Sequence, residues 1–547
     1  MIRLIYLALI LFSGISMAQF TLIHNVNGYT PTRSGEINTF STLVIKDGKV
    51  VRTGDKQLAK QYPKASKFDG QGMTLLPGLI DAHGHIIGLG NNLSRLDIRE
   101  ADSVEEVGKL LAAFSEENPK GWILGRGWDQ TRWTPSTFPT AEDLDRFVKD
   151  RPVVLTRVDG HAIWVNSKAM ALAGIDAKSQ SPAGGEIIRH ASGNPTGIFI
   201  DKAESLVRKY IPPTSSAHLS QSLNKSGAHL LSLGITSAHD AGIDKQTWKL
   251  YRSRAETQTL PLRIYAMLSA ADPQLDSMLQ AGVYKDKRDM LSIRSVKIYA
   301  DGALGSRGAA LLKEYKDRQG YRGLMLEQPQ HLEQLITQAV KHGFSAHTHA
   351  IGDRANRLVL DSYEKVFKTT GGKLLRNRIE HAQIIEPADI PRFKTLDIIP
   401  SMQPVHATSD MHMAEQRLTD EQLQGAYAWQ TFLQQGSKVA AGSDFPVELA
   451  NPFHGLHAAV TRMNAQQYPQ QGWRNHERLT RKQALQAFTL DAAYAAFQEF
   501  KLGSLEQGKW ADFILLDKDY FKVPEQEIRD IQVMQTWIAG QLRYSKD

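Results

Sequence analysis

The sequence predicts an α/β protein: a parallel sheet, either doubly wound or closed into a barrel, covered by helices and joined to a small sandwich built from both termini. Three observations predict it. Between residue 79 and about residue 490, short β-rich runs alternate with amphipathic stretches of helical period, the signature of repeated strand–helix units. Both ends of the chain are strand-rich. Its 547 residues suffice for one large barrel with an accessory domain.

The elements follow in order. Residues 1–18 read as a signal peptide, with Arg3 as the positive start, an apolar run over 4–15, and small residues at Ser16 and Ala18 that place cleavage after Ala18. A periplasmic or secreted protein is expected. No later apolar stretch approaches 18 residues, so no membrane association is expected after cleavage. The chain has no cysteine, which excludes a thiol-linked lipid anchor and suits an oxidising compartment. Runs at 21–24, 42–45 and 50–51 surround Asp47-Gly48, a hairpin signal. Runs at 510–517 and 531–538 are strand-like too, so 19–78 and 491–547 are expected to form one composite sandwich.

In the middle, 79–490, candidate strands lie at 153–157, 295–299, 344–348, 378–381, 398–402 and 438–441. The segment 331–342 has helical spacing of its apolar residues. Residues 96–215, rich in Gly, Pro and Trp, break the rhythm and read as an insertion. Composition is that of a globular protein, 41% hydrophobic and 22% charged. The net charge of +7 is dispersed, with no basic tail and no zinc-finger spacing, so nucleic-acid binding is not expected.

Polar residues with chemistry collect at the ends of the candidate strands. His83 and His85 follow the apolar run 75–82; Lys297 lies inside an apolar strand; His347 and His349 close another; His381 ends a fourth; Asp444 follows a fifth. In a (β/α) barrel the strand C-termini converge on one face, where the active site sits. Each residue alone has an ordinary explanation: a surface histidine pair, a snorkelling lysine, a turn or helix cap. The ordered set is what points to a divalent metal. Imidazole and carboxylate donors without thiolates suit zinc.

The motifs Pro77-Gly78-Leu79-Ile80-Asp81-Ala82-His83-Gly84-His85, Arg157-Val158-Asp159-Gly160-His161, the run from Lys297 to Arg307, His349-Ala350-Ile351-Gly352-Asp353-Arg354-Ala355, Ile379-Glu380-His381-Ala382-Gln383, Gly442-Ser443-Asp444-Phe445-Pro446 and the tail 502–512 resemble the amidohydrolase superfamily. Within it the chain looks more like the amidohydrolase-3, YtcJ-like branch, which includes N-substituted formamide deformylases. The resemblance implies a distorted TIM barrel with a composite β-sandwich. It implies a ligand set of His83, His85, Lys297, His349 rather than His347, His381 and Asp444. It also implies one or two ions, with a carboxylated Lys297 bridging a pair. Such barrels often pair as dimers; no feature of this sequence decides that.

That chemistry predicts hydrolysis of a non-peptide C–N bond in a small molecule. A bound cation lowers the pKa of water towards about 7, giving hydroxide, and polarises the carbonyl, while Asp444 serves as general base and then acid. Asp301, Arg307, Asp159, His161 and Trp128 are expected to shape the substrate pocket, with Arg307 gripping an anionic or carbonyl group. For Asp159 and His161 a loop-fixing role is the alternative, and for Trp122, Trp128 and Trp133 a place in the core of the insertion. Asp240 is expected behind the site. Lactone or ester hydrolysis on the same site, and a non-catalytic exported binding or regulatory protein, are the other functions compatible with the sequence.

Overall fold

A computed structural model describes residues 20–130, 133–157, 162–182, 185–212, 215–305 and 307–546. The expected signal peptide, residues 1–18, lies outside the described residues, as do Asp159 and His161. The chain forms two compact units, one of Ile87–Ser226 and one of the residues on either side.

The larger unit contains a parallel (β/α)8 barrel of the TIM type. Its strands, in chain order, are β1 (Leu79–Gly84), β2 (Ile235–Ile243), β3 (Arg263–Ser269), β4 (Leu291–Tyr299), β5 (Ser345–Ala350), β6 (Arg378–His381), β7 (Ile399–Met402) and β8 (Ala440–Ala441). Each pairs in parallel with the next around the ring. A parallel bridge between Gly84 and Phe445 draws the last strand onto the first. The strands are buried along almost their whole length, as expected for a sheet covered on both faces.

The helices read as amphipathic. In Pro329–Lys341 the buried residues Leu332, Ile336, Ala339 and Val340 repeat at three- and four-residue spacing, with Pro329 at the first turn where no N–H is needed. In Asp353–Thr370 the buried stripe includes Ala355, Val359, Tyr363 and Val366, and the helix stops at Gly371, whose φ of 85° a side chain would resist.

Two further sheets flank this pattern in sequence. An eight-stranded sheet takes Thr21–Pro31, Ile37–Lys46, Lys49–Gly54, Ser66–Asp69 and Thr74–Pro77 from the start, and Phe513–Leu516, Val533–Ile538 and Gln541–Ser545 from the end. The termini join where Thr74–Pro77 runs antiparallel to Phe513–Leu516. Ile23, Leu43, Leu75, Phe513 and Leu515 fill its core. Asp47 and Gly48 both have positive φ, the geometry of a type I′ hairpin turn. Residues 74–77 then lead through Gly78 straight into β1, so this sheet anchors the strand that carries the histidine pair.

The unit Ile87–Ser226 holds a six-stranded sheet over a core of Leu111, Trp128, Trp133, Trp164 and Ile198. The run 153–157, which alternation alone would place in the barrel, is a strand of this sheet. The barrel instead takes β2 and β3.

Candidate metal centre

The site forms where β1 and β8 meet. Asp444 donates its backbone N–H to the His83 carbonyl (2.7 Å), and His85 donates its own to the Phe445 carbonyl (2.7 Å). Asp81 locks the seam: its carboxylate accepts from the His83 N–H (3.0 Å), the Ser443 N–H (3.0 Å) and the Ser443 hydroxyl (2.6 Å). Burial pushes the Asp81 carboxyl up to about 7, against the pull of those bonds. Gly442 makes the approach possible, because a Cβ there would stand 2.5 Å from the His83 nitrogen.

The expected ligands gather at this seam. His85 Nε2 lies 3.2 Å and His83 Nε2 3.6 Å from Asp444 Oδ1. Lys297, on β4, brings Nζ to 3.1 Å from His83 Nε2. The His381 ring, at the end of β6, stands 4.8 Å from that of His83 and 4.5 Å from that of His349 on β5. His347 lies deeper, its Nδ1 3.6 Å from Glu380 Oε1 and 3.3 Å from the Met267 sulfur, so the outer histidine of the pair belongs to the site. His381 and Asp444 both have left-handed backbone, φ 74° and 61°. Such conformations cost about 1–3 kcal/mol each and are held only where the surroundings over-determine them.

One residue of the cluster was not expected from sequence. His406, in the helix Pro404–Arg417 that follows β7, places Nε2 3.8 Å from Asp444 Oδ2. The donor atoms of His83, His85 and Asp444 lie within 4.8 Å of one another, and so do those of His381, His406 and Asp444. The signal that could have found it is position: His406 comes four residues after the end of a barrel strand.

Supporting groups fix the rings. Glu380 accepts a 2.5 Å hydrogen bond from His83 Nδ1, which leaves the Nε2 lone pair facing Asp444. Gln403 Oε1 accepts from His381 Nδ1 at 2.8 Å. Burial, reinforced by the Lys297 charge, holds His83 and His349 neutral, the latter down to about 3; burial and neighbouring histidines do the same for His381. Burial also lowers Lys297 to about 8, against the attraction of Glu380 and Asp444. At Asp444 burial opposes ionisation, but the hydrogen bond with His85 and the imidazoles of His83 and His406 beside it outweigh that and keep the carboxyl below its usual range. Neutral imidazoles around an ionised carboxylate, with His349 Nε2 buried and lacking a hydrogen-bond partner among the described residues, fit a divalent cation.

The other expected residues are spent differently. Asp301 is buried and accepts the N–H groups of Ala310, Ile351 and Gly352, which fixes the loop after β4 beside His349. Arg307 forms a two-point ion pair with Asp317, at 2.6 and 3.2 Å. Asp240 takes the Ile86 N–H (3.0 Å) and the Tyr251 hydroxyl (2.5 Å), supporting the chain next to His85. Trp128 is fully buried in the core of its own unit, with its indole N–H on the Leu155 carbonyl at 2.8 Å. Trp133 shares that core and Trp122 packs at the edge of an adjoining one.

Comparison with known proteins agrees with this geometry. The chain is 31% identical to the protein LONG AFTER FAR-RED 3 of Arabidopsis thaliana, over 95% of this chain and 91% of that one. It is 30% identical to the putative amidohydrolase YtcJ of Bacillus subtilis (strain 168), over 95% and 98%. Among solved structures, an uncharacterised metal-dependent hydrolase from Pyrococcus furiosus superposes with a TM-score of 0.76 at 28% identity, covering 92% of this chain and all of that one. The family model described as the amidohydrolase family matches residues 68–544, and with it the barrel, the ligand cluster and the C-terminal strands of the flanking sheet: the chain belongs to the amidohydrolase family.

Proposed function

We propose that this protein is an exported, zinc-dependent amidohydrolase that cuts a non-peptide C–N bond in a small molecule, with Asp444 as general base and then general acid. The observation that carries the reading is the position of Asp444, one oxygen towards His85 and His83 and the other towards His406. His83, His85, His349, His381 and Asp444 would hold the ion, and their imidazole-rich, thiolate-free character favours zinc. When bound, such an ion supplies an activated water and polarises a carbonyl.

The chain's own groups do the rest. Asp444, kept ionised by its neighbours, accepts a proton from water and delivers it to the leaving nitrogen. Glu380 and Gln403 hold two of the rings in one tautomer. The Lys297 ammonium beside His83 Nε2 competes for the same lone pair. Carboxylation of Lys297 would remove that conflict and create a bridge between two ions. The apolar run and small residues of 1–18 support export.

The test combines elemental analysis with turnover of a panel of N-acyl and N-formyl amines before and after chelation. Zinc is expected in the purified protein, with activity lost on chelation and restored by zinc. Asp444→Asn should lower kcat by about 10²–10⁴-fold, the range of a positioned general acid–base. A metal-free active protein, or an unimpaired Asp444→Asn variant, would overturn the reading.

A further inference from the structure

Proximity groups His406 with His381 and Asp444 as candidate donors to a cation. The hydrogen bonds on the far side of each ring separate them. Gln403 turns its amide oxygen to His381 Nδ1 (2.8 Å) and spends its nitrogen on the Ser401 carbonyl (3.2 Å), so His381 carries its proton on Nδ1 and keeps a lone pair on Nε2. Glu380 can only accept, so His83 is the same tautomer. At His406 the polarity is reversed. Gln383 brings its amide nitrogen to within 3.1 Å of Nδ1, and its amide oxygen lies 3.5 Å from the Tyr427 hydroxyl, which also donates to Asp410 at 2.7 Å. Nδ1 therefore accepts, and the proton sits on Nε2.

That Nε2–H is buried, lacks a hydrogen-bond partner among the described residues, and stops 3.8 Å from Asp444 Oδ2, too far to bond it. A buried donor is rarely left unmatched. We propose that His406 is not a metal ligand but a catalytic hydrogen-bond donor. Its Nε2–H meets the substrate oxygen that gains negative charge when the scissile carbonyl is attacked, and Gln383 is the positioning residue that sets its tautomer. The ring is held for this by its near-parallel stacking on His381, at 5.9 Å and 17°. A donor aimed at a developing oxyanion in a water-poor site contributes most in the transition state. The inference rests on the hydrolytic function proposed above and narrows the substrate to one presenting an acceptor oxygen beside Asp444.

Three measurements test it. In zinc-loaded protein labelled with ¹⁵N-histidine, long-range ¹⁵N–¹H spectra, assigned by difference from His406→Asn, should show His406 as the Nε2–H tautomer. His406→Asn should keep its zinc content, and its zinc affinity within about twofold, while kcat falls by about 10²–10³, the loss expected for one oxyanion donor. Gln383→Glu places a pure acceptor at Nδ1 and inverts the tautomer, so kcat should fall comparably. A His406 proton on Nδ1 with a zinc-shifted Nε2, or loss of a zinc equivalent in His406→Asn, would make it a ligand and sink the proposal. If the unsubstituted enzyme turns over no amide or formamide, the proposed function fails, yet the tautomer and zinc content still decide between donor and ligand.

Discussion

Glu380 shows why some of the site could be read from sequence and some could not. Its neighbour His381 stands at the end of a candidate strand, the position where a barrel gathers its site residues. Strand alternation would then send Glu380 to the opposite face. Instead Glu380, like Arg378 two residues earlier, is buried inside the barrel, with Arg378 Nη1 3.8 Å from its Oε1 and 3.1 Å from His239 Nδ1. The left-handed φ of 74° at His381 re-aims the ligand, so both residues serve the same centre. A backbone twist of this kind leaves no trace in the hydrophobic pattern. Glu380→Gln keeps the volume but weakens the acceptor on His83. It should lower the affinity for a divalent cation by about 10–100-fold, the usual cost of losing a partner to a liganding histidine, measured by competition with a chromophoric chelator.

Among the elements, legibility followed side-chain chemistry more than strand strength. Lys297 stands out because apolar residues bracket it, and His349 and His381 because each closes a short strand-like run. β2 (Ile235–Ile243) does not, since Thr236, Ser237, Ala238, His239 and Asp240 are small or polar and are nonetheless buried in the barrel wall. The helix Pro404–Arg417 hid His406 for a similar reason: apart from its place just past β7, nothing in a helical histidine distinguishes it from a surface one. The shortest barrel strand, Ala440–Ala441, depends on its neighbours for its position. Ser443→Ala removes the 2.6 Å bond to Asp81 and leaves a buried carboxylate short of one donor. It should cost about 1–3 kcal/mol of stability, seen as a lowered denaturation midpoint. Activity should fall less than in Asp444→Asn, because the Asp444 carboxylate is intact.

For the molecule as a whole, the flanking sheet and the barrel share a buried ion pair. Arg263 on β3 grips Asp512 at 2.6 and 2.9 Å, and Asp512 also takes the Ala539 N–H at 2.8 Å. Arg263→Met strands that carboxylate, and denaturant unfolding should show a loss of about 3–5 kcal/mol, the range for breaking a buried pair. Saturating metal should act in the other direction. At a free concentration 100 times Kd, the stabilisation expected from binding to the folded state alone is about 2.7 kcal/mol, measurable as a rise in Tm that EDTA abolishes. The seam between the first and last barrel strands carries a consequence for biogenesis. Asp81 and Ser443, whose bond closes it, stand 362 positions apart in the chain. A nascent chain therefore exposes His83 and His85 long before the ribosome releases Asp444. Until then only the histidines of the set have been made, without the Asp444 carboxylate that completes it. The complete donor set exists only once the last strand has docked on the first.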